Sequence, residues 1–541
     1  MATDTTTRVS RAGEKLIIEG TQYSHELVAF MRSLPHARWH ATKKRWECAA
    51  TPLACHRIEG SGYFADGDLD DAVRLRASFW DDVLDDPPPV VGYEFETLPW
   101  QHQRDAFHFC WNKYAAMLPI KMGGGKTKLA IDIVRNRGAK RVLIVCPKAV
   151  IGVWPYQFQL HAPGLYTVRT LESGTSAVKA QKLADAVRIV GERDMALAVV
   201  VNYESVWRGE LGAAVRGIRW NAVVCDESQK IAAANSRQSK FMAHLATSSD
   251  FRLCLSGTPM RNSPLDLYGQ YRFLEPAIFG TSYSRFRSRY AVTNPTIPQQ
   301  VLQLINQGEL REKYRQIAFE CDPDLSLPPE SHVDVPLQLD GKSRKVYDDL
   351  SKDFYSYLDS GEAVVAANVL VRITRLQQIT SGYVVDEQDA EQALHTAKRD
   401  ALAELLDEMP PDEPCVVFAR FRHDLSSVHE AAKLAGRASW ELSGRRNNLA
   451  DWQQNDVLAV QIQAGATGID LTAARFAVFY SYTHSLADYA QACARLVRPG
   501  QTRPVTFYHL NCTDTIDRTI RTAYAKKQEI IDYVMKGESD E

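Results

Sequence analysis

Lys121-Met-Gly-Gly-Gly-Lys-Thr127 lies between an apolar stretch and a helix-compatible run, and the reading of the fold turns on it. Gly123 and Gly125, with Gly124 between them, let the backbone turn tightly and aim its N–H groups at phosphate oxygens. Lys126 supplies a point charge for the β and γ phosphates, and the Thr127 hydroxyl is suited to Mg2+. ATP and Mg2+ are therefore the expected ligands. The strict Gly-x4-Gly-Lys-Thr pattern needs glycine at 120, where the chain has Ile120, so only the shorter Gly-x-Gly-Lys-Thr form is met. A glycine-rich helix entry beside a solvated lysine reads the same way in isolation, and the decision falls on the rest of the chain.

Downstream, Val223-Val-Cys-Asp-Glu-Ser-Gln229 puts two carboxylates at the C-terminal end of an apolar run. Ligand sites of open α/β sheets lie at such ends. Asp226 is placed to hold Mg2+, and Glu227 to polarise an attacking water. The surrounding pattern is of apolar runs separated by helical segments: Arg141–Pro147, Leu197–Asn202, Ala222–Cys225 and Phe251–Ser256, then after Pro328-Pro329 a second set, Cys415–Phe418, Leu458–Gln463, Phe476–Tyr480 and Val505–Leu510. Buried parallel strands have this character. Two α/β lobes are expected, over 97–328 and 329–541.

With 541 residues the chain is too long for one core. Its 45% hydrophobic and 24% charged residues match an ordinary globular protein, and no run approaches the ~18 apolar residues of a membrane helix. The first ten residues lack the apolar stretch of a secretory signal, which predicts the reducing cytoplasm as the compartment. The ten cysteines fit that setting as thiols; Cys146, Cys225, Cys254 and Cys415 fall inside apolar runs. His40, Cys48, Cys55 and His56 match no zinc spacing. A net charge of −2 argues against a uniformly basic nucleic-acid coat, so any DNA contact must be local. Residues 1–60 carry nine Lys or Arg against six Asp or Glu, and residues 61–96 two against ten. That reversal, with Asp85-Asp-Pro-Pro-Pro89, predicts an N-terminal domain over 1–86 that ends in an acidic linker.

Several blocks together resemble the Swi/Snf-type family of superfamily 2 helicase-like ATPases. Leu255-Ser-Gly-Thr-Pro-Met-Arg-Asn262 looks like motif III, Cys146-Pro-Lys with Trp154 like motif Ia, and Asn202-Tyr-Glu like motif Ib. Leu98-Pro-Trp-Gln101 resembles the adenine-side glutamine motif. Ala464-Gly-Ala-Thr-Gly-Ile-Asp-Leu-Thr472 resembles motif V, and Gln491-Ala-Cys-Ala-Arg-Leu-Val-Arg-Pro-Gly-Gln501 is similar to motif VI. The resemblance spans 97 to about 512 and implies two RecA-like parallel-sheet lobes with helical protrusions, preceded here by a small α+β domain. It implies ATP bound between the lobes, with Gln101, Gln229, Gly468 and Asp470 joining the phosphate loop as nucleotide-binding residues. Arg495 and Arg498, at i and i+3, are expected on one helical face as arginine fingers from the second lobe.

Three departures stand out. Ile120-Lys121 replaces the family's usual Asp-Glu; Gln229 stands where histidine commonly ends motif II; and Tyr480-Ser-Tyr-Thr-His-Ser485 lacks the usual Trp-Asn-Pro. The last variant looks like the compact bacteriophage and prophage members. Residues 22–58 resemble the HARP-type module of annealing helicases, with Trp39 and Trp46 expected in its core and Arg38, Lys43, Lys44 and Arg45 as DNA-facing charges. Tyr283, Arg285, Phe286, Arg287, Arg289 and Tyr290 fit either a phosphate-tracking surface or a packed helix face. The expected function is an ATP-dependent translocase on double-stranded or branched DNA. The alternatives are an ATP-gated DNA-binding scaffold with weak hydrolysis, or the motor subunit of a restriction or defence complex.

Overall fold

The computed structural model describes residues 7–21, 24–84, 92–193, 195–295, 301–321, 327–359, 366–385, 390–452, 456–465 and 469–535. The triple-proline spacer lies outside the described residues.

The N-terminal module is an antiparallel sheet of β1 (Arg8–Ala12), β2 (Lys15–Glu19), β3 (Arg38–His40) and β4 (Arg45–Ala49) in the order β1-β2-β4-β3. Alternation along the strands sends Val9, Leu16, Ile18, Trp46 and Cys48 into a core closed by helices at His25–Ser33 and Pro52–Glu59. Side chains of Ser24 and Thr51 cap those helices by accepting from the Leu27 and Ala54 N–H groups. Trp46 is buried as expected, whereas Trp39 is half-exposed because β3 is a three-residue edge strand.

Part of the acidic stretch, Asp71–Leu84, is a helix, and the linker expected at Asp85-Asp-Pro-Pro-Pro89 lies outside the described residues. Val73, Ala77, Trp80 and Val83 recur at helical spacing and are buried, so the carboxylates belong to its solvent side. Trp80 and Val83 join the core of the next domain, and Lys113 Nζ donates to the Val83 carbonyl at 3.0 Å.

Lobe 1 carries a six-stranded parallel sheet: β5 (Ala115–Leu118), β6 (Arg141–Cys146), β7 (Tyr166–Thr170), β8 (Ala196–Asn202), β9 (Trp220–Asp226) and β10 (Ser249–Leu255), in the order β5-β10-β9-β6-β8-β7. Helices cover both faces, so the central strands are apolar throughout. A short antiparallel pair follows, β11 (Ala291–Thr293) and β12 (Val301–Leu304).

Lobe 2 begins with β13 (Glu330–Leu337). After the hairpin β14 (Tyr383–Val385) and β15 (Glu391–Ala393) come β16 (Cys415–Ala419), β17 (Ser439–Leu442), β18 (Val457–Gln461), β19 (Phe476–Phe479) and β20 (Val505–Cys512). The six-stranded sheet is parallel, in the order β13-β20-β19-β16-β18-β17. Both lobes thus have the parallel α/β architecture expected. The four cysteines assigned to strands are buried in them. In the helix Tyr283–Tyr290, Phe286 and Tyr290 are buried, Arg289 pairs with Glu309 at 2.5 Å, and Arg285 donates to the Arg32 carbonyl; the packed-face reading accounts for most of that segment. Among the described residues, no helix is long and apolar enough to cross a membrane, and no His, Cys, Asp and Glu group clusters as a metal site.

Candidate functional site

The phosphate loop joins β5 to the helix Lys126–Asn136. Gly123 and Gly125 have φ of +81° and +73°, a region that side chains disfavour. Space excludes a side chain as well: a Cβ on Gly125 would lie 2.1 Å from Gln103 Nε2, and one on Gly123 would lie 2.5 Å from Pro499 Cδ of lobe 2. The loop is therefore held from below by the helix Gln101–Cys110 and met from above by the second lobe.

A cavity of about 600 Å³ opens between the lobes. Gly123, Gly125, Lys126, Thr127, Asp226 and Glu227 line it from lobe 1, and Arg495 and Arg498 line it from lobe 2. One cavity thus gathers the predicted catalytic set from segments more than 350 residues apart in sequence. Thr97, Leu98, Trp100, Gln157, Leu160 and His161 also line it, a mixed apolar and polar surface. Thr97 Oγ1 and His161 Nδ1 are 2.7 Å apart, and His161 Nε2 lies 3.2 Å from Gln157 Oε1.

Burial sets the electrostatics. Lys126 Nζ donates to the carbonyls of Ile120 (2.9 Å) and Lys121 (3.3 Å). Desolvation lowers its pKa, opposed by the negative charge of Glu227 and Asp226. Asp226 is pushed up to about 7 by burial and by Glu227 beside it. Arg495 is lowered to about 10 by desolvation, with Glu227 acting against the shift. Cations and carboxylates line the same cleft, an arrangement suited to a polyanion with its metal.

Arg495 and Arg498 reach the cavity, but not from a helix. The helix Leu486–Cys493 ends before them, and they lie in the turns that follow, closed off by Pro499 and by Gly500 at φ +106°. Both guanidinium groups donate to the Ile469 carbonyl, at 3.4 and 3.2 Å, and Arg498 lies 3.9 Å from Asp470. Asp470 itself accepts from the Thr472 N–H and hydroxyl, so it orients Arg498 and the loop rather than lining the cavity. Gly468 lies outside the described residues.

Two predicted nucleotide contacts fall elsewhere. Gln101 is exposed, its amide bonded to Asp105 one turn along, and Gln103 occupies the site side. Gln103 Oε1 accepts from Trp100 N–H at 2.9 Å, and its Nε2 donates to the Gly124 and Gly125 carbonyls at 3.3 and 3.4 Å. The sequence offers two glutamines in Gln101-His-Gln103, and only the helix phase relative to the loop separates them. Gln229 is buried behind Glu227 rather than in the cavity wall. Its Nε2 donates to Glu227 Oε2 at 2.6 Å, and its Oε1 accepts from Ser256 Oγ at 2.7 Å. Glu227 is held at φ +52°, a strained conformation for a non-glycine residue, at the head of this relay. In the N-terminal module, Arg38, Lys43 and Lys44 are exposed, but Arg45 is tied to Glu47 at 2.6 Å and Glu19 at 3.5 Å, so it closes the sheet rather than facing a ligand.

Two stacked parallel α/β lobes with a phosphate loop, an acidic strand end and trans-lobe arginines define a two-lobed nucleoside-triphosphate motor core. The chain belongs to the SNF2-related family: the SNF2-related domain matches residues 23–382, and the helicase conserved C-terminal domain matches residues 397–500. It is similar to the protein YwqA of Bacillus subtilis, 26% identical over 452 residues, which make up 79% of this chain and 47% of YwqA. It is likewise similar to protein p41 of Acyrthosiphon pisum secondary endosymbiont phage 1, 24% identical over 452 residues, 77% of this chain and 93% of p41. The chain spans about half the length of YwqA and nearly all of the phage protein. Among solved structures, the Sulfolobus solfataricus SWI2/SNF2 ATPase core in complex with double-stranded DNA has a TM-score of 0.39 and 19% identity, covering 84% of this chain and 96% of that one.

Proposed function

We propose that the chain is an ATP-dependent translocase that works on double-stranded or branched DNA, hydrolysing ATP between its lobes. The observation that carries this reading is the single cavity lined by Lys126, Asp226 and Glu227 on one side and by Arg495 and Arg498 on the other. Such a site completes itself only when the lobes meet, which ties hydrolysis to lobe movement. Its membership of the SNF2-related family, and a bacterial relative whose name carries the words helicase and translocase, support the motor reading. The hydroxyl of Thr127 and the carboxylate of Asp226 line the same cavity and suit a hard, oxygen-loving Mg2+. When bound, that ion would neutralise charge on the phosphates. Lys126 holds the β and γ phosphates, Glu227 orients the attacking water, and the arginines stabilise the charge that develops on the γ-phosphoryl group.

Fork remodelling or strand annealing is the finer form of the proposal. It is supported by the resemblance of residues 22–58 to the HARP-type module and by that module's exposed Arg38, Lys43 and Lys44. Steady-state ATP hydrolysis with no nucleic acid, single-stranded DNA, duplex, fork and RNA tests the reading. Stimulation by duplex or fork, lost in Lys126→Ala and Glu227→Gln while DNA binding remains, is expected. Flat turnover despite tight DNA binding would instead point to an ATP-gated scaffold.

A further inference from the structure

The open face of the N-terminal sheet looks across a groove of about 790 Å³ onto lobe 1. Lobe 1 supplies Lys240 and His244, four residues apart on the helix Arg237–Leu245, together with Arg272; the sheet supplies Lys15, Arg38 and His40. Glu14 and Glu47 also line it. Glu47 is already engaged by Arg45 at 2.6 Å and by Lys15 and His40 at 3.3 Å, and Glu14 lies 3.8 Å from Arg11. The hydrogen bond from Arg45 holds the Glu47 carboxyl down at about 2. Arg272 is anchored by donating to the Ala234 carbonyl and Ser239 Oγ, both at 2.8 Å. Arg38, Lys240 and His244 are exposed, and their side chains make no hydrogen bond or ion pair among the described residues. With its carboxylates neutralised internally, the groove presents unspent positive charge from two separate domains.

The walls are fixed to each other. His36 N–H donates to Thr281 Oγ1 at 3.3 Å, Arg285 donates to the Arg32 carbonyl at 3.1 Å, and the module's helix Asp71–Leu84 shares the core of lobe 1. A groove with exposed Arg38 on one wall and exposed Lys240 on the other suits a charged polymer that reaches both better than a single small anion. Its position separates it from the motor. The helix Arg237–Leu245 ends just before β10 begins at Ser249, so the groove borders the N-terminal edge of the lobe 1 sheet, while the nucleotide cavity lies at the C-terminal ends of the strands.

We propose that this groove holds the phosphodiester backbone of a second nucleic-acid segment, so that the chain engages two arms of a branched DNA at once. The inference rests on the reading of the chain as a DNA motor, and it names branched DNA as its substrate class. Nucleotide-free binding by the full chain to a linear duplex and to a three-way junction, measured by fluorescence anisotropy between about 50 and 200 mM salt, tests it. The unmodified chain prefers the junction. In the double variant Arg38→Glu with Lys240→Glu, junction affinity falls about tenfold or more and the salt slope of junction binding drops by about 2, while duplex binding keeps its affinity and slope. Lys240→Gln gives a smaller loss of the same kind.

Equal loss on both substrates, or no loss on the junction, overturns the proposal. So does binding of inorganic tripolyphosphate that the double variant abolishes while its junction affinity stays intact, since the groove would then be a small-anion site. The motor reading fails separately, if duplex and junction DNA leave the unmodified chain's ATP turnover unchanged.

Discussion

Replacing Gln229 by alanine cuts the relay between the phosphate site and motif III at its middle. Its amide donates to a charged partner, Glu227 Oε2, at 2.6 Å and accepts from Ser256 Oγ at 2.7 Å, with the side chain almost wholly buried. A hydrogen bond to a charged group contributes about 1.5–3 kcal/mol. If that energy holds Glu227 in position for the attacking water, losing it slows hydrolysis by about 10- to 150-fold at 1.4 kcal/mol per decade. Gln229 does not line the cavity, so ATP affinity should stay within about twofold, making the loss one of kcat rather than of binding. Duplex-stimulated steady-state turnover, paired with equilibrium binding of a fluorescent ATP analogue, reads both quantities. Ser256→Ala removes the next member of the relay, and the double variant should be less than additive by about 0.5 kcal/mol or more. A kcat within about threefold of the unmodified chain, or a defect confined to ATP affinity, refutes the relay.

Four further outcomes follow from the geometry. Gln103→Ala releases three hydrogen bonds beneath the phosphate loop and should weaken ATP binding about tenfold, whereas Gln101→Ala, on the solvent side, should leave it nearly unchanged in the same binding assay. Gly123→Ala places a Cβ against Pro499 in a left-handed backbone, so ATP turnover should collapse, and Pro499→Gly in the same chain should restore only part of it because the φ strain remains. Arg45→Ala should lower the melting temperature without changing the salt slope of linear-duplex binding, since its charge is spent on Glu47 and Glu19. Burial, then Arg420, lowers His484 to about 4, while an unfolded histidine titrates near 6.5. Between those values the unfolded chain binds the extra proton, so stability is full above about pH 6.5 and falls as pH drops towards 4. Denaturant midpoints at pH 7.5, 6 and 5 should show the His484→Gln chain losing less stability on acidification than the unmodified chain, the difference being the part that His484 contributes.

What the sequence carried, and what it did not, divides along one physical line. Residue type and chain order state which chemistry is present, because a phosphate loop needs its glycines and lysine adjacent and a strand buried on both faces needs an unbroken apolar run. Thus β6, β8, β9, β10, β16, β18, β19 and β20 were legible. Edge strands are covered less, and β7, β13 and β17 show mostly exposed or half-buried residues, so their sequences carry no strand signature. Strand β5 is fully buried but has only four residues, too few to separate from a helical turn. Direction is harder still. Gln101 and Gln103 differ by two positions on one helix, and which of them meets the phosphate loop depends on where Gly124 and Gly125 come to rest, more than 20 residues away. Gln229 stands where the family commonly has histidine, and Ser256, 27 residues on, supplies the partner that turns it inward. An amide both donates and accepts, so glutamine can join a carboxylate to a hydroxyl without a change of protonation. The hydrogen bonds that join Glu227, Gln229 and Ser256 should therefore persist across the pH range in which an imidazole would titrate.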